Sequence, residues 1–202
     1  MELSVINEPA LPEHTIEVLF DEKTILNRVG ELRSAISQDY RNSDQPLLLV
    51  GVLKGAALFL ADLARAIQRP VEFDFVEISS YGQATQSSGE VRILKGLEAA
   101  VAGKHVIIVE DILDTGLTLR FSSLIESLQA RHAASVKLCV LLDKPSRRRV
   151  EVPVDYRGFY IEDRFVVGYG MDYAERYRNL RYIGVVNHLE DDAPVEDKRK
   201  QS

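Results

Sequence analysis

The stretch Val106–Leu119 constrains the chain more than any other. Four consecutive β-formers, Val106-Ile107-Ile108-Val109, run into the adjacent carboxylates Glu110 and Asp111. After Ile112 and Leu113 comes a loop of small residues, Asp114-Thr115-Gly116-Leu117-Thr118. Leu117, Phe121, Leu124 and Leu128 then recur at helical spacing. An unbroken apolar run of this length fits a buried strand. Strand, acids, loop and helix in that order place carboxylates and backbone N–H groups at the carboxyl end of the strand, where open α/β sheets bind ligands. A helix start with a Gly and Thr hydroxyls offers donors to a phosphate. The two acids would repel a phosphate, so they call for a polyol or a cation. A sugar phosphate meets both demands.

The remaining pattern alternates helix and strand. Ile25, Val29, Leu32 and Ile36 predict an amphipathic helix over Glu22–Ile36, with Asp21 at the N-cap position. Leu47–Val52 reads as a buried strand, Ala57–Ile67 as a helix and Val71–Phe75 as a strand with one wet face. Periodicity then lapses over Ser79–Glu90, which reads as a mobile loop. Val136–Leu142 and Tyr182–Val186 complete the strands, and Val150–Asp172 reads as a small cap on the sheet. Strands alternating with helices predict an α/β fold with a mainly parallel twisted sheet flanked by helices. A single domain is expected over 1–188, its small hood built from parts of the N-terminus and 150–180. The charged tail 189–202 is expected to be disordered.

Composition excludes several classes. A net charge of −6 argues against a general nucleic-acid or membrane surface. No apolar run approaches the roughly 20 residues of a membrane helix, and no signal peptide is evident. The single cysteine, Cys139, lies within an apolar run and reads as a buried strand residue. A cytoplasmic protein is the expectation. His14, His105, His132 and His188 share no metal-ligand spacing and read as structural or surface residues.

The string from Val106 to Thr118 resembles the 5-phosphoribosyl-1-diphosphate (PRPP) motif of the type I phosphoribosyltransferases. The resemblance implies that Glu110 and Asp111 hold the ribose hydroxyls, and that Asp114, Thr115, Gly116, Leu117 and Thr118 form the loop for the 5-phosphate. Val52-Leu53-Lys54-Gly55-Ala56 is similar to the family's first pyrophosphate loop, with Lys54 and Gly55 as its binding residues. In purine members the Leu–Lys bond here can be cis. Ala56 stands where many relatives have a second Gly.

Asp143-Lys144-Pro145, the run from Phe165 to Tyr173, and Arg178 resemble the base-recognition and metal-binding segments of the hypoxanthine-guanine branch. By that resemblance Lys144 donates to the purine 6-oxygen, Phe165 stacks on the ring and the Val166 backbone reads the pyrimidine edge. Arg178 contacts pyrophosphate. Asp172 faces a Mg²⁺ ion, with Glu110 and Asp111 also expected near the metal. Ser80 and Tyr81 resemble the start of the family's closing lid. Physics supports these roles: Lys is a donor only and suits a 6-oxo purine, base–aromatic stacking is worth roughly 1–3 kcal/mol, and Mg²⁺ takes one or two carboxylates plus substrate oxygens. Taken singly, each residue would be an ordinary structural one. Their order and spacing carry the assignment.

The implied reaction transfers phosphoribosyl from PRPP to N9 of hypoxanthine or guanine, releasing a nucleotide and pyrophosphate, with Asp114 as general base or as a hydrogen-bond stabiliser at N7. A homodimer or homotetramer is the family expectation. Two alternatives stand beside it: a uracil-type phosphoribosyltransferase or operon regulator, and a PRPP-sensing regulator. Lys144 and the Phe165-Val166-Val167-Gly168 run match the purine branch. The notable basic run, Arg147-Arg148-Arg149, is too short for a nucleic-acid-binding segment.

Overall fold

A computed structural model describes residues 16–80, 91–114, 118–145 and 153–187. The larger of its two sheets has the order β4 (Val91–Lys95), β3 (Val71–Ser80), β2 (Leu47–Leu53), β5 (His105–Leu113), β6 (Ser135–Asp143), β7 (Tyr156–Tyr160). Strand β4 is antiparallel to β3, and the other five run parallel. The smaller sheet is antiparallel, in the order β1 (Ile16–Phe20), β9 (Ile183–Val186), β8 (Val166–Val167). The described helices are α1 (Glu22–Asp39), α2 (Ala57–Ala66) and α3 (Thr118–Ala130).

The central strands are covered on both faces, which is why their sequences show unbroken apolar runs. Alternate residues go to opposite sides. Leu47 and Leu49, Ile107 and Val109, and Cys139 and Leu141 join α1 and α2 in one core. Leu48 and Val50, Val106 and Ile108, and Leu138 and Val140 meet Leu124 and Leu128 of α3 in the other. On α1, Ile25, Val29, Leu32 and Ile36 are the buried residues, and the Asp21 carboxylate accepts from Thr24 N at 2.7 Å as its N-cap.

Three expectations need correction. Residues 79 and 80, read as loop, continue β3 to Ser80, and the chain returns along it as β4. The segment 150–172, read as a cap, contributes β7 to the edge of the main sheet. There the Arg28 side chain from α1 donates to the carbonyls of Gly158 and Arg157, at 2.8 and 2.7 Å, and so protects the open edge. Strand β9 was expected in the parallel sheet and instead pairs with β1 and β8.

The two sheets share one core. Val166, Tyr169, Met171, Ile183 and Val185 pack with residues of α1 and α2. Phe20 of β1 stacks on Phe159 of β7 at 4.1 Å. The Tyr169 hydroxyl donates to Asp62 of α2 at 2.7 Å.

Candidate active site

Parallel strands open their carboxyl ends on the same side. Beyond the ends of β2, β5 and β6 lies a cleft of about 330 Å³, roofed by the chain on either side of β8. Ten residues singled out from the sequence line it: Lys54, Gly55, Glu110, Asp111, Asp114, Lys144, Phe165, Val166, Asp172 and Arg178. A larger hollow of about 580 Å³ lies beside Arg33, Arg41 and Arg69 and contains none of them. Thr115, Gly116, Leu117 and Tyr81 fall outside the described residues, as do the tail 189–202 and the run Arg147–Arg149. Thr118 opens α3 and Ser80 ends β3.

The acid pair sits where β5 leaves the core. Glu110 is buried and Asp111 half-buried. Burial pushes the Asp111 carboxyl above its ordinary range, while a hydrogen bond with Glu110, the Ile112 amide at 2.9 Å and the charge of Arg178 oppose that rise. On β2, the Leu53–Lys54 peptide bond is cis. Gly55 then passes so close to Asp111 that a β-carbon there would overlap its carboxylate. Helix α2 begins at Ala57 with Ala56 as its N-cap and no side-chain cap, so its positive end opens beside the Lys54–Gly55 loop.

Asp114 and Lys144 follow paired strand ends. Leu113 and Asp143 are register partners, and Lys144 N donates to the Leu113 carbonyl at 3.1 Å. Lys144 is only 6% exposed, with Asp163 4.0 Å from its Nζ. Asp143 is fully buried and accepts from Arg157 Nε at 2.6 Å. Phe165 is 42% exposed, touches Tyr173 edge-on at 5.6 Å, and leaves a flat aromatic surface at the cleft.

The segment after β8 curls tightly. Tyr169, Ala174, Glu175 and Tyr177 all have φ between 49° and 73°. Gly170, at φ 103°, lies against the Gly55 carbonyl, where a side chain would not fit. This curl gathers three charges. Arg178 Nη2 is 2.7 Å from Asp172 Oδ1 and 3.3 Å from Glu175 Oε2, while Nη1 donates to the Gly170 carbonyl at 2.9 Å. Lys54 Nζ donates to the same Glu175 oxygen at 3.1 Å. Both Asp172 oxygens are engaged, Oδ2 by the Glu175 amide at 2.8 Å.

Among the described residues no group of three or more carboxylates, His or Cys is gathered that could hold a metal by itself. The expected trio Glu110, Asp111 and Asp172 therefore lines one cleft without forming a closed cage. Its donors are all carboxylates, which suit a hard cation sharing its coordination with substrate oxygens. Asp111, whose carboxyl is pushed up by burial, is a carboxylate that a cation or sugar hydroxyls would help to ionise. His105 lies at the opposite end of β5, between Ser43 Oγ at 2.8 Å and Ser135 Oγ at 2.7 Å, in a structural role.

The arrangement therefore offers acids for hydroxyls, a cationic corner with an open helix end for a polyanion, and an aromatic surface beside a buried amine. Such a cleft, on this sheet, defines a phosphoribosyl transferase domain, and the sequence model of that family matches residues 16–174. The chain belongs to the phosphoribosyltransferase family. It is 49% identical over 179 residues to the hypoxanthine phosphoribosyltransferase of Escherichia coli K12, covering 89% of this chain and 99% of that one. It is 49% identical over 175 residues to the hypoxanthine-guanine phosphoribosyltransferase of Bacillus subtilis 168, covering 86% and 95%. The solved hypoxanthine phosphoribosyltransferase of Staphylococcus aureus superposes with a TM-score of 0.78 at 46% identity, covering 85% of this chain and 91% of that one.

Sequence reasoning gave no role to Glu175, to Met171 or to the Arg157–Asp143 pair. Glu175 had one local signal, its place three residues before Arg178. Arg157 had none, because it reaches Asp143 only through the pairing of β6 and β7.

Proposed function

We propose that the chain transfers the 5-phosphoribosyl group of PRPP to N9 of hypoxanthine or guanine, yielding IMP or GMP and pyrophosphate in purine salvage. The carrying observation is the convergence of Lys54, Glu110, Asp111, Asp114, Lys144 and Arg178 on one cleft from four separate stretches of chain. Purine N9 attacks the anomeric carbon as its bond to pyrophosphate breaks, and the bonding electron pair leaves with pyrophosphate. The N9 proton is lost.

Each residue has a task in that step. Glu110 and Asp111 accept from the ribose hydroxyls, and residues 114–118 take the 5-phosphate. Asp114 receives the purine proton or holds N7 by a hydrogen bond. Lys144, which carries donors and no acceptor, meets a 6-oxygen and leaves a 6-amino group without an acceptor. Phe165 covers the base, and the Val166 backbone meets its pyrimidine edge. Lys54, the Gly55 loop and Arg178 neutralise the leaving pyrophosphate, which is electrostatic stabilisation of developing charge. Mg²⁺ bound with PRPP, held by Glu110, Asp111 or Asp172, would add positive charge at the same place. Ser80 and Tyr81 belong to the lid in this reading.

Among the described residues no helix is long and apolar enough to cross a membrane. The reading places the chain in the cytoplasm, as a homo-oligomer like that expected of the family, with no nucleic-acid partner.

The test offers hypoxanthine, guanine, xanthine, adenine and uracil in parallel to purified protein with PRPP and Mg²⁺. Turnover confined to 6-oxopurines, abolished by Asp114→Asn and Lys144→Ala and by removing Mg²⁺ with EDTA, is expected. Turnover of uracil alone would overturn the base assignment, and PRPP binding without turnover would overturn the enzyme.

A further inference from the structure

We propose that Glu175 is a built-in stand-in for pyrophosphate: it holds Lys54 and Arg178 together in the free protein and must release Lys54 when the polyanion arrives. The inference rests on the assignment of Lys54 and Arg178 to pyrophosphate. One carboxylate oxygen, Oε2, accepts from Lys54 Nζ at 3.1 Å and from Arg178 Nη2 at 3.3 Å, joining cations 124 positions apart in the chain. A single anionic oxygen shared between two cations is what a phosphate oxygen would supply in the same corner. Glu175 is held in place by a left-handed backbone at φ 63° and by the hydrogen bond its backbone N–H donates to Asp172 Oδ2. Its carboxyl is held below the ordinary range by hydrogen bonds from Lys54 and Arg178.

The two cations depend on Glu175 unequally. Arg178 is also fixed by Asp172 at 2.7 Å and by the Gly170 carbonyl at 2.9 Å. Among the described residues Glu175 is the only ion-pair partner of Lys54. The Lys54 and Glu175 side chains are 59% and 67% exposed, so water and salt weaken their bond. A polyanion of higher charge can displace such a partner, and once displaced the carboxylate opposes the polyanion by repulsion. Glu175 thus keeps the corner ordered before binding and limits how tightly pyrophosphate is kept afterwards. It is a positioning residue acting through Lys54.

The experiment is calorimetric titration of the full chain with inorganic pyrophosphate in Mg²⁺, together with steady-state KM and kcat for PRPP. Glu175→Gln is expected to lower the Kd for pyrophosphate and the KM for PRPP about threefold or more, as removal of an exposed competing charge of this size predicts. Glu175→Asp, which keeps the charge, is expected to stay nearer the parent. The gain is expected to shrink in a Lys54→Met background, where only the direct repulsion between the carboxylate and the polyanion remains to be relieved. Unchanged or weaker binding by Glu175→Gln, in a variant with the parent melting temperature, would overturn the stand-in role. Pyrophosphate binding that is unaffected by both Lys54→Met and Arg178→Lys would instead overturn the assignment of this corner to pyrophosphate.

Discussion

The carboxylate of Asp111 lies where a β-carbon on Gly55 would be. The loop after β2 and the end of β5 can meet only because position 55 carries no side chain. Both belong to the cleft, so the contact fixes an acid against the backbone of the Lys54–Gly55 loop.

Gly55→Ala should therefore damage the site more than the fold. A methyl group there must push the Asp111 carboxylate or the loop aside, and a displacement of about 1 Å in a reacting site costs on the order of 100-fold. We expect kcat/KM for PRPP to fall about that much, with far-UV circular dichroism unchanged. A variant with parental kcat/KM would show that the contact is dispensable.

Asp111 should also make stability depend on pH. Its folded-state pKa lies above the unfolded one, chiefly through burial, so the native state holds the proton through the window between them. Stability falls as pH rises through that window, and the whole cost stands above it. Asp111→Asn should then melt higher than the parent at pH 8, with the gap closing as pH falls towards about 4, the ordinary carboxylate range. Thermal scans across that range decide it: a constant gap would exclude the titration as the cause.

Arg157, which does not line the cleft, should matter to folding. It forms an ion pair with the fully buried Asp143. Breaking such a pair by removing one side leaves a poorly compensated charge, at roughly 3–5 kcal/mol for a fully buried pair; a partly exposed Arg lowers this to about 2–4 kcal/mol. Arg157→Met should lower the midpoint in urea accordingly, and adding Asp143→Asn should recover much of the loss. No recovery would mean that Arg157 acts through its stacking on Tyr160.

Cys139 should be silent to alkylating reagents in the native protein. It is fully buried in the central sheet, and burial pushes its thiol pKa far up, so thiolate is scarce. Labelling with iodoacetamide should reach one equivalent per chain only in denaturant, and mass spectrometry of intact protein reads it directly. Native-state labelling on the timescale of mixing would contradict the strand's burial.

Periodicity located what local physics decides. The buried stripe of α1, its Asp21 cap, and strands β2, β5 and β6 are legible because each is one stretch of chain with one demand. Strand β7 is not, because Tyr156-Arg157-Gly158-Phe159-Tyr160 interrupts its apolar positions with Arg and Gly. Gly158 is there because the Leu141 carbonyl approaches too closely for a side chain, a tertiary fact without a local signature. Likewise Tyr182–Val186 reads as a buried strand, but nothing in so short a run says which sheet receives it. The acids, Lys144 and Arg178 were found through their motifs. Glu175 escaped because its importance lies in reaching Lys54 across the cleft.

The seat of Gly170 on the Gly55 carbonyl gives the molecule an economy of parts. Floor and roof of the cleft come from different sheets, and neither sheet alone encloses anything. If substrate is recognised there, recognition is a property of an internal seam, and a change that loosens the seam, however remote from a reacting atom, is expected to register as a loss of chemistry before a loss of fold.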